Sequence, residues 1–255
     1  MIRTTEVGSW PPDEQFDERL HAYFTDRLTP TAAEALLREV AAVAIAQQKT
    51  CGLDEYTGGE TSADSFILHF PKQLTGIALT ENTEAWGGRE YRIVGEVDAP
   101  NGLGIASALR RERKIDPALR KVTIPGPSEI LMMIGPAEKR KEAWPRIIEL
   151  MQNEIGECIA AGARDIQLDL PHVAMGLVDG WWDGNPVATI EEILKNVQGT
   201  RRSVHFCFGD FDAKTWTENR NFHALLPTIQ GLEGTVDRVV LEFSLPEQWA
   251  ERATC

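Results

Sequence analysis

Asp165-Ile166-Gln167-Leu168-Asp169-Leu170-Pro171 reads as a short strand shut by a proline, and the residues before it read as the helix that feeds it. Ile147, Ile148, Met151, Ile155 and Ile159 fall on one helical face, and Gly162 stops that helix as its C′ residue. The same alternation spreads outward in both directions. Toward the N-terminus, Thr31-Ala32-Ala33-Glu34 reads as a capping box behind Pro30, with Leu36, Leu37, Val40, Val43 and Ala44 on one face. That helix runs out near Cys51-Gly52, and Leu53-Asp54-Glu55-Tyr56-Thr57 follows as a strand leading into Gly58-Gly59-Glu60. Further strands are predicted at Glu6–Trp10, Lys121–Pro127, Ser203–Gly209 and Arg238–Phe243, which makes six strand–loop units. Strands alternating with helices imply a parallel sheet covered by helices. A (β/α)8 barrel and an open doubly wound sheet both fit. The open sheet is expected to carry a Gly-rich phosphate loop, and Gly102-Leu103-Gly104 has the wrong continuation, so the barrel is preferred. Residues 81–100 read as a hairpin insertion.

Composition narrows the partners. The chain has 255 residues, with 26 Lys plus Arg against 39 Asp plus Glu and a net charge of −13. A surface so acidic repels phosphate backbones and anionic lipids, which argues against nucleic acid and membrane surfaces as partners. No apolar run approaches the roughly 18 residues of a spanning helix, and Met1-Ile2-Arg3-Thr4-Thr5-Glu6 lacks a signal-peptide core. Four scattered cysteines without an export signal are expected to be reduced, in the cytoplasm.

The chemistry sits at the strand ends: Ser9, Glu60, Pro125-Gly126-Pro127, Asp169, His205 with Cys207, and Glu242. In a barrel those ends converge on one face, where active sites are built. His205 and Cys207 stand two apart on a strand, so imidazole and thiol project to the same side. They suit zinc, with Glu242 supplying an oxygen. They also read as a core histidine and a buried free cysteine. Glu242 inside an apolar strand is costly to bury alone, which tilts the reading toward a partner for it.

Six motifs occur in order: Thr5-Glu6-Val7-Gly8-Ser9-Trp10-Pro11, Gly52-Leu53-Asp54 with Gly59-Glu60, Thr123-Ile124-Pro125-Gly126-Pro127, Gln167-Leu168-Asp169-Leu170-Pro171, His205-Phe206-Cys207-Phe208-Gly209 and Leu241-Glu242-Phe243. Together they resemble the catalytic domain of cobalamin-independent methionine synthase and its shorter relatives, a group that includes epoxyalkane:coenzyme M transferase. The resemblance implies a zinc-dependent transfer of a methyl or alkyl group to a small thiol of the homocysteine type, the metal activating the thiolate for direct attack. It assigns His205, Cys207 and Glu242 as zinc ligands. Glu60 and Asp169 are implied as catalytic residues and, with Ser9 and Arg89, as substrate-binding ones.

On this reading residues 1–255 form a single methionine-synthase-like barrel domain with the hairpin insertion, lacking the last two strand–helix units of a (β/α)8 barrel. A second copy or a partner chain is then expected to complete it. Cys255, on a helix start rather than a strand end, is a poor fourth ligand. Where folate-using members carry a tryptophan this chain has Met132-Met133, and Leu170 stands where the family usually has a glutamate. Two other readings remain. One is a metal-free lyase or decarboxylase of the uroporphyrinogen-decarboxylase type, built on Asp169 and Arg89. The other is a non-catalytic barrel that binds a small molecule.

Overall fold

The computed structural model describes residues 2–63, 69–81, 89–209, 216–218 and 220–242, with the side chains at 81, 89 and 90 left aside. Two N-terminal helices come first, the short α1 (Asp17–Phe24) and the 21-residue α2 (Pro30–Thr50). An antiparallel hairpin follows, β1 (Thr75–Glu81) and β2 (Arg89–Asp98), so the hairpin opens earlier in the chain than the sequence suggested. Then come α3 (Ile105–Glu112), β3 (Lys121–Pro125), α4 (Pro127–Leu131), β4 (Ile134–Gly135) and the long α5 (Ala137–Ala161). The rest is β5 (Asp165–Asp169), α6 (Pro171–Val178), α7 (Pro186–Leu194), β6 (Arg201–Phe206), α8 (Leu226–Gly231) and β7 (Arg238–Leu241).

Four strands form a parallel sheet in the order β3-β5-β6-β7. A smaller sheet, β1-β2-β4, lies beside it. The expected alternation of helix and strand is present, and among the described residues the parallel ladder has two ends, at β3 and β7. Both faces of β3 and β5 are buried, as parallel strands require. Proline sets the junctions. Pro127 and Pro171 each follow a strand closely and occupy the first turn of the next helix, where a missing N–H costs nothing.

The sequence rules misplace the start of α2. Its cap is Thr29, whose Oγ1 accepts from Ala32 N at 3.3 Å, with Pro30 in the first turn; Thr31 lies inside the helix. Thr29→Ala is expected to cost about 1 kcal/mol, read as a lower urea midpoint with unchanged slope. A midpoint equal to that of the unaltered chain would leave Thr31 as the cap after all. At the other end of the fold the glycine stop holds: Gly162 takes φ 109° and closes α5.

The strands expected at Glu6–Trp10 and Leu53–Thr57 are reduced to one parallel bridge, Thr5 with Glu55. Side chains of the sheet take the carbonyls that a longer ladder would use. Lys121 Nζ donates to Glu6 O, and Gln167 Nε2 donates to Val7 O at 2.6 Å. Between these segments the inward face of the sheet is polar. At its amino end Asp165 bonds Arg201, Arg238 and Ser203, and Glu55 bonds both arginines at 2.7 and 3.0 Å. Two buried glutamates tie helices together. Glu154 on α5 accepts from Leu103 N and Ala106 N, both at 2.7 Å, and so caps α3. Glu129 on α4 accepts from His172 N at 2.9 Å at the start of α6. Among the described residues no helix is long and apolar enough to cross a membrane.

Candidate active site at the carboxyl edge of the sheet

Strand register brings the expected residues to one edge. Pro125 pairs with Asp169, Asp169 with His205, and His205 with Val240, so these four stand on one level. Cys207 and Glu242 each lie two residues past that level, just beyond the ends of β6 and β7, and burial still alternates from His205 through Cys207. His205 Nδ1 is 3.4 Å from Asp169 Oδ1, and Gln167 Nε2 donates to the same oxygen at 2.7 Å. Ser9 and Glu60 meet from the other side of the chain: Ser9 Oγ donates to Glu60 Oε2 at 2.6 Å, and Thr123 Oγ1 donates to Glu60 Oε1.

Glu60 has φ 55°, a left-handed conformation rare outside glycine, and it persists because its loop is held on several sides. Gln48, fully buried on α2, clamps Thr57: its Nε2 donates to Thr57 O at 3.0 Å and its Oε1 accepts from Thr57 N at 3.2 Å. Trp10 N donates to Gly59 O at 3.0 Å. A Cβ on Gly59 would fall 2.7 Å from Trp10 Cβ, so only glycine lets the two segments approach.

The site is rich in acid and poor in cations. Burial, and then the Asp169 charge, hold the Glu60 carboxyl above the usual carboxylate range against the bonds from Ser9 and Thr123. Burial pushes Glu6 up to about 7, with Lys121 Nζ opposing from 3.8 Å. The Lys121 ammonium is itself pulled down by burial. The Cys207 thiol is pushed up to about 12, by burial first and then by the carboxylates of Asp169, Glu242 and Glu129. A cation placed among these groups would reverse that preference and favour thiolate.

The donor set of imidazole, thiol and carboxylate on one face suits zinc in chemistry. Its spacing is looser: among the described residues no three His, Cys, Asp or Glu side chains converge closely enough to hold an ion. Arg89 begins β2, in the hairpin, and its side chain falls outside the described residues, as does Cys255. The Trp181-Trp182 pair packs over Gly176 of α6, and Trp181 meets the His172 ring edge-on at 6.0 Å. Lys121, Thr123 and Gln167 are site residues that motif reading passed over. Their signal was a period of two: polar residues at 121 and 123 and at 165, 167 and 169 alternate with apolar ones, and the same spacing recurs at 203 and 205.

The raised carboxyls make a prediction about pH. Glu6 and Glu112 both sit at about 7 in the folded chain against an ordinary 4.5, so between those values the folded chain keeps protons that the unfolded chain has lost. Their contribution is full below the unfolded value and disappears as pH rises through the folded one. Urea midpoints are therefore expected to fall between about pH 5 and about pH 8, and Glu112→Gln to flatten part of that fall. A midpoint that rises over the interval contradicts both assignments.

An α/β chain with carboxylates, an imidazole and a thiol gathered at the carboxyl edge of a parallel sheet belongs to the class that binds ligands outside strand ends. The chain belongs to the family described as the catalytic domain of cobalamin-independent synthase, whose model matches residues 1–244. A 5-methyltetrahydropteroyltriglutamate–homocysteine methyltransferase of Caulobacter vibrioides is 27% identical over 224 residues, which is 83% of this chain and 29% of that protein. The Salinibacter ruber protein of the same name is 25% identical, with the same shares. The chain thus spans under a third of the length of these curated relatives. Among solved structures, a B12-independent methionine synthase from a Shewanella species, in complex with selenomethionine, aligns with TM-score 0.64 at 18% identity. That alignment covers 82% of this chain and 63% of that one. A second, described as a putative vitamin-B12-independent methionine synthase from Listeria monocytogenes, aligns at 0.59 and 20%, over 81% of this chain and 65% of that one. Both share its fold.

Proposed function

We propose that this chain transfers a methyl group from a small donor to a small thiol of the homocysteine type, on a sheet that is part of a (β/α)8-type barrel. Family membership and the names of the relatives support the reaction class. The observation that supports the site is the register that pairs Asp169 with His205, with Cys207 and Glu242 just past the ends of their strands and the Ser9–Glu60 pair bonded nearby.

His205, Cys207 and Glu242 are the residues that would hold zinc. Bound there, zinc supplies a Lewis acid that lowers the pKa of the substrate thiol. Asp169 stands against His205 Nδ1 and leaves Nε2 as the nitrogen free to ligate. Glu60 and Asp169 accept an ammonium group by charge, and they are the groups placed to take the proton that the thiol releases. Ser9 donates a hydrogen bond from its hydroxyl to Glu60, so it orients that carboxylate as well as facing the substrate.

Elemental analysis of the purified protein, paired with a thiol methylation assay, tests this. About one zinc per chain is expected, with transfer lost on chelation and restored by zinc. Transfer that survives complete removal of metal overturns the zinc assignment. The loose spacing of the three donors favours a second reading, a chain that binds a thiol amino acid without turnover. Calorimetric binding of homocysteine with no methylation from any donor would select it.

A further inference from the structure

A cavity of about 80 Å³ lies between the loop at 57–63, α3 and β3. Phe70, Ile105, Leu109 and Val122 give it apolar walls, and two carboxyl groups also line it, Glu60 and Glu112. Glu112 ends α3 and is 7% exposed. Among the described residues no hydrogen bond reaches its carboxyl; Arg111 attracts it by charge alone, and Glu60 repels it. Arg111 is turned toward Glu34, with Nη1 3.5 Å from that carboxylate. Of the basic side chains that line the cavity, His69 and Lys121, the lysine is spent on Glu6 O and on Thr5 Oγ1 at 3.3 Å.

The loop is shaped around this acid. A Cβ on Gly58 would fall 2.0 Å from Glu112 Cδ, so the carboxyl fills the space that a side chain at 58 would need. Once ionised, a buried carboxylate without donors is costly. Something with N–H groups and positive charge would relieve it. A divalent metal would need about six oxygens, which these walls do not offer. A cavity this size has room for only a few non-hydrogen atoms.

We propose that the cavity binds a small protonated amine, ammonium or methylammonium in size, whose N–H groups donate to Glu112 and Glu60 while its carbon packs against Leu109 and Phe70. The amine site shares Glu60 with the methyl-transfer reading and rests on it there, whereas no step of that reading uses Glu112, the residue that its test varies, so failure of the one is distinguishable from failure of the other.

Thermal melts of the full chain at about pH 8, where a free Glu112 is ionised, test this at equal ionic strength in four chloride salts. Ammonium and methylammonium are expected to raise Tm by ~2–4 °C over tetramethylammonium, which carries no N–H and is too large. Potassium, with charge but no donors, is expected to fall short of both. Glu112→Gln should abolish the difference, and so should Ala108→Leu, which fills the cavity without touching a carboxyl. An equal rise with potassium overturns the proposal. So does an ammonium response that persists in both variants, or none at all in the unaltered chain.

Discussion

His205→Ala and Cys207→Ser are each expected to take bound zinc from about one per chain to near zero, and thiol methylation down by ~10²-fold or more. Each removes a donor at the carboxyl end of β6, His205 within the strand and Cys207 just past it, and neither side chain anchors the sheet: the β6 ladder is made by backbone from Arg201 to Phe206. The folded state should therefore survive, with circular dichroism and urea midpoints close to those of the unaltered chain. Asp169→Asn separates ligation from orientation. It keeps the hydrogen bond to Gln167 but loses the charge beside His205, so metal affinity should weaken ~10–100-fold without vanishing. Full zinc occupancy in both His205→Ala and Cys207→Ser would remove the metal centre from this edge of the sheet.

Asp165→Ala is expected to have the largest effect on stability, about 3 kcal/mol, or a Tm lower by ~6–12 °C. Its carboxylate is 5% exposed and holds Arg201, Arg238 and Ser203 at the amino end of the sheet. Without it Arg201 and Arg238 are left with Glu55, which also pairs with Arg3, as their carboxylate, and breaking a buried network costs more than the network's net worth. The arginines retain partial contact with water, at 36% and 24% exposure, which keeps the figure at the lower end of the buried-pair range. Asp165→Asn, which keeps the bond to Ser203, should recover part of the loss. A Tm change under about 2 °C for the alanine variant would mean that Glu55 suffices.

The parallel strands β3, β5, β6 and β7 were legible because each is a short segment with apolar residues at its core that follows a helical stretch. The two N-terminal strands were overread. Their apolar content suggested a ladder, but Lys121 and Gln167 bond the carbonyls of Glu6 and Val7, and a long-range side-chain bond leaves no mark in local sequence. Thr29 and Thr31 flank Pro30 symmetrically in type. The proline in the first helical turn decides between them, and that rule was available. At the site, motif order singled out Ser9, Glu60, Asp169, His205, Cys207 and Glu242 as candidates, and alternation along a strand put His205 and Cys207 on one side. What it could not supply was distance. The approach of Ser9 to Glu60 spans 51 positions, and the pairing of Asp169 with His205 depends on a register that only folding sets.

Glu154 and Glu129 each reach from one helix to the backbone of the next, and this has a consequence for how the chain opens. The amide protons of Leu103, Ala106 and His172 are bonded to carboxylates that lie on other elements, so fraying of α3 or α6 alone cannot expose them without stranding a buried acid. Hydrogen exchange at those three positions should be slow for residues at helix beginnings, close to the slowest amides of α5. In the language of native-state exchange, α3 with α5 and α4 with α6 are each expected to open as one cooperative unit, with a single glutamate bonding across each packed joint.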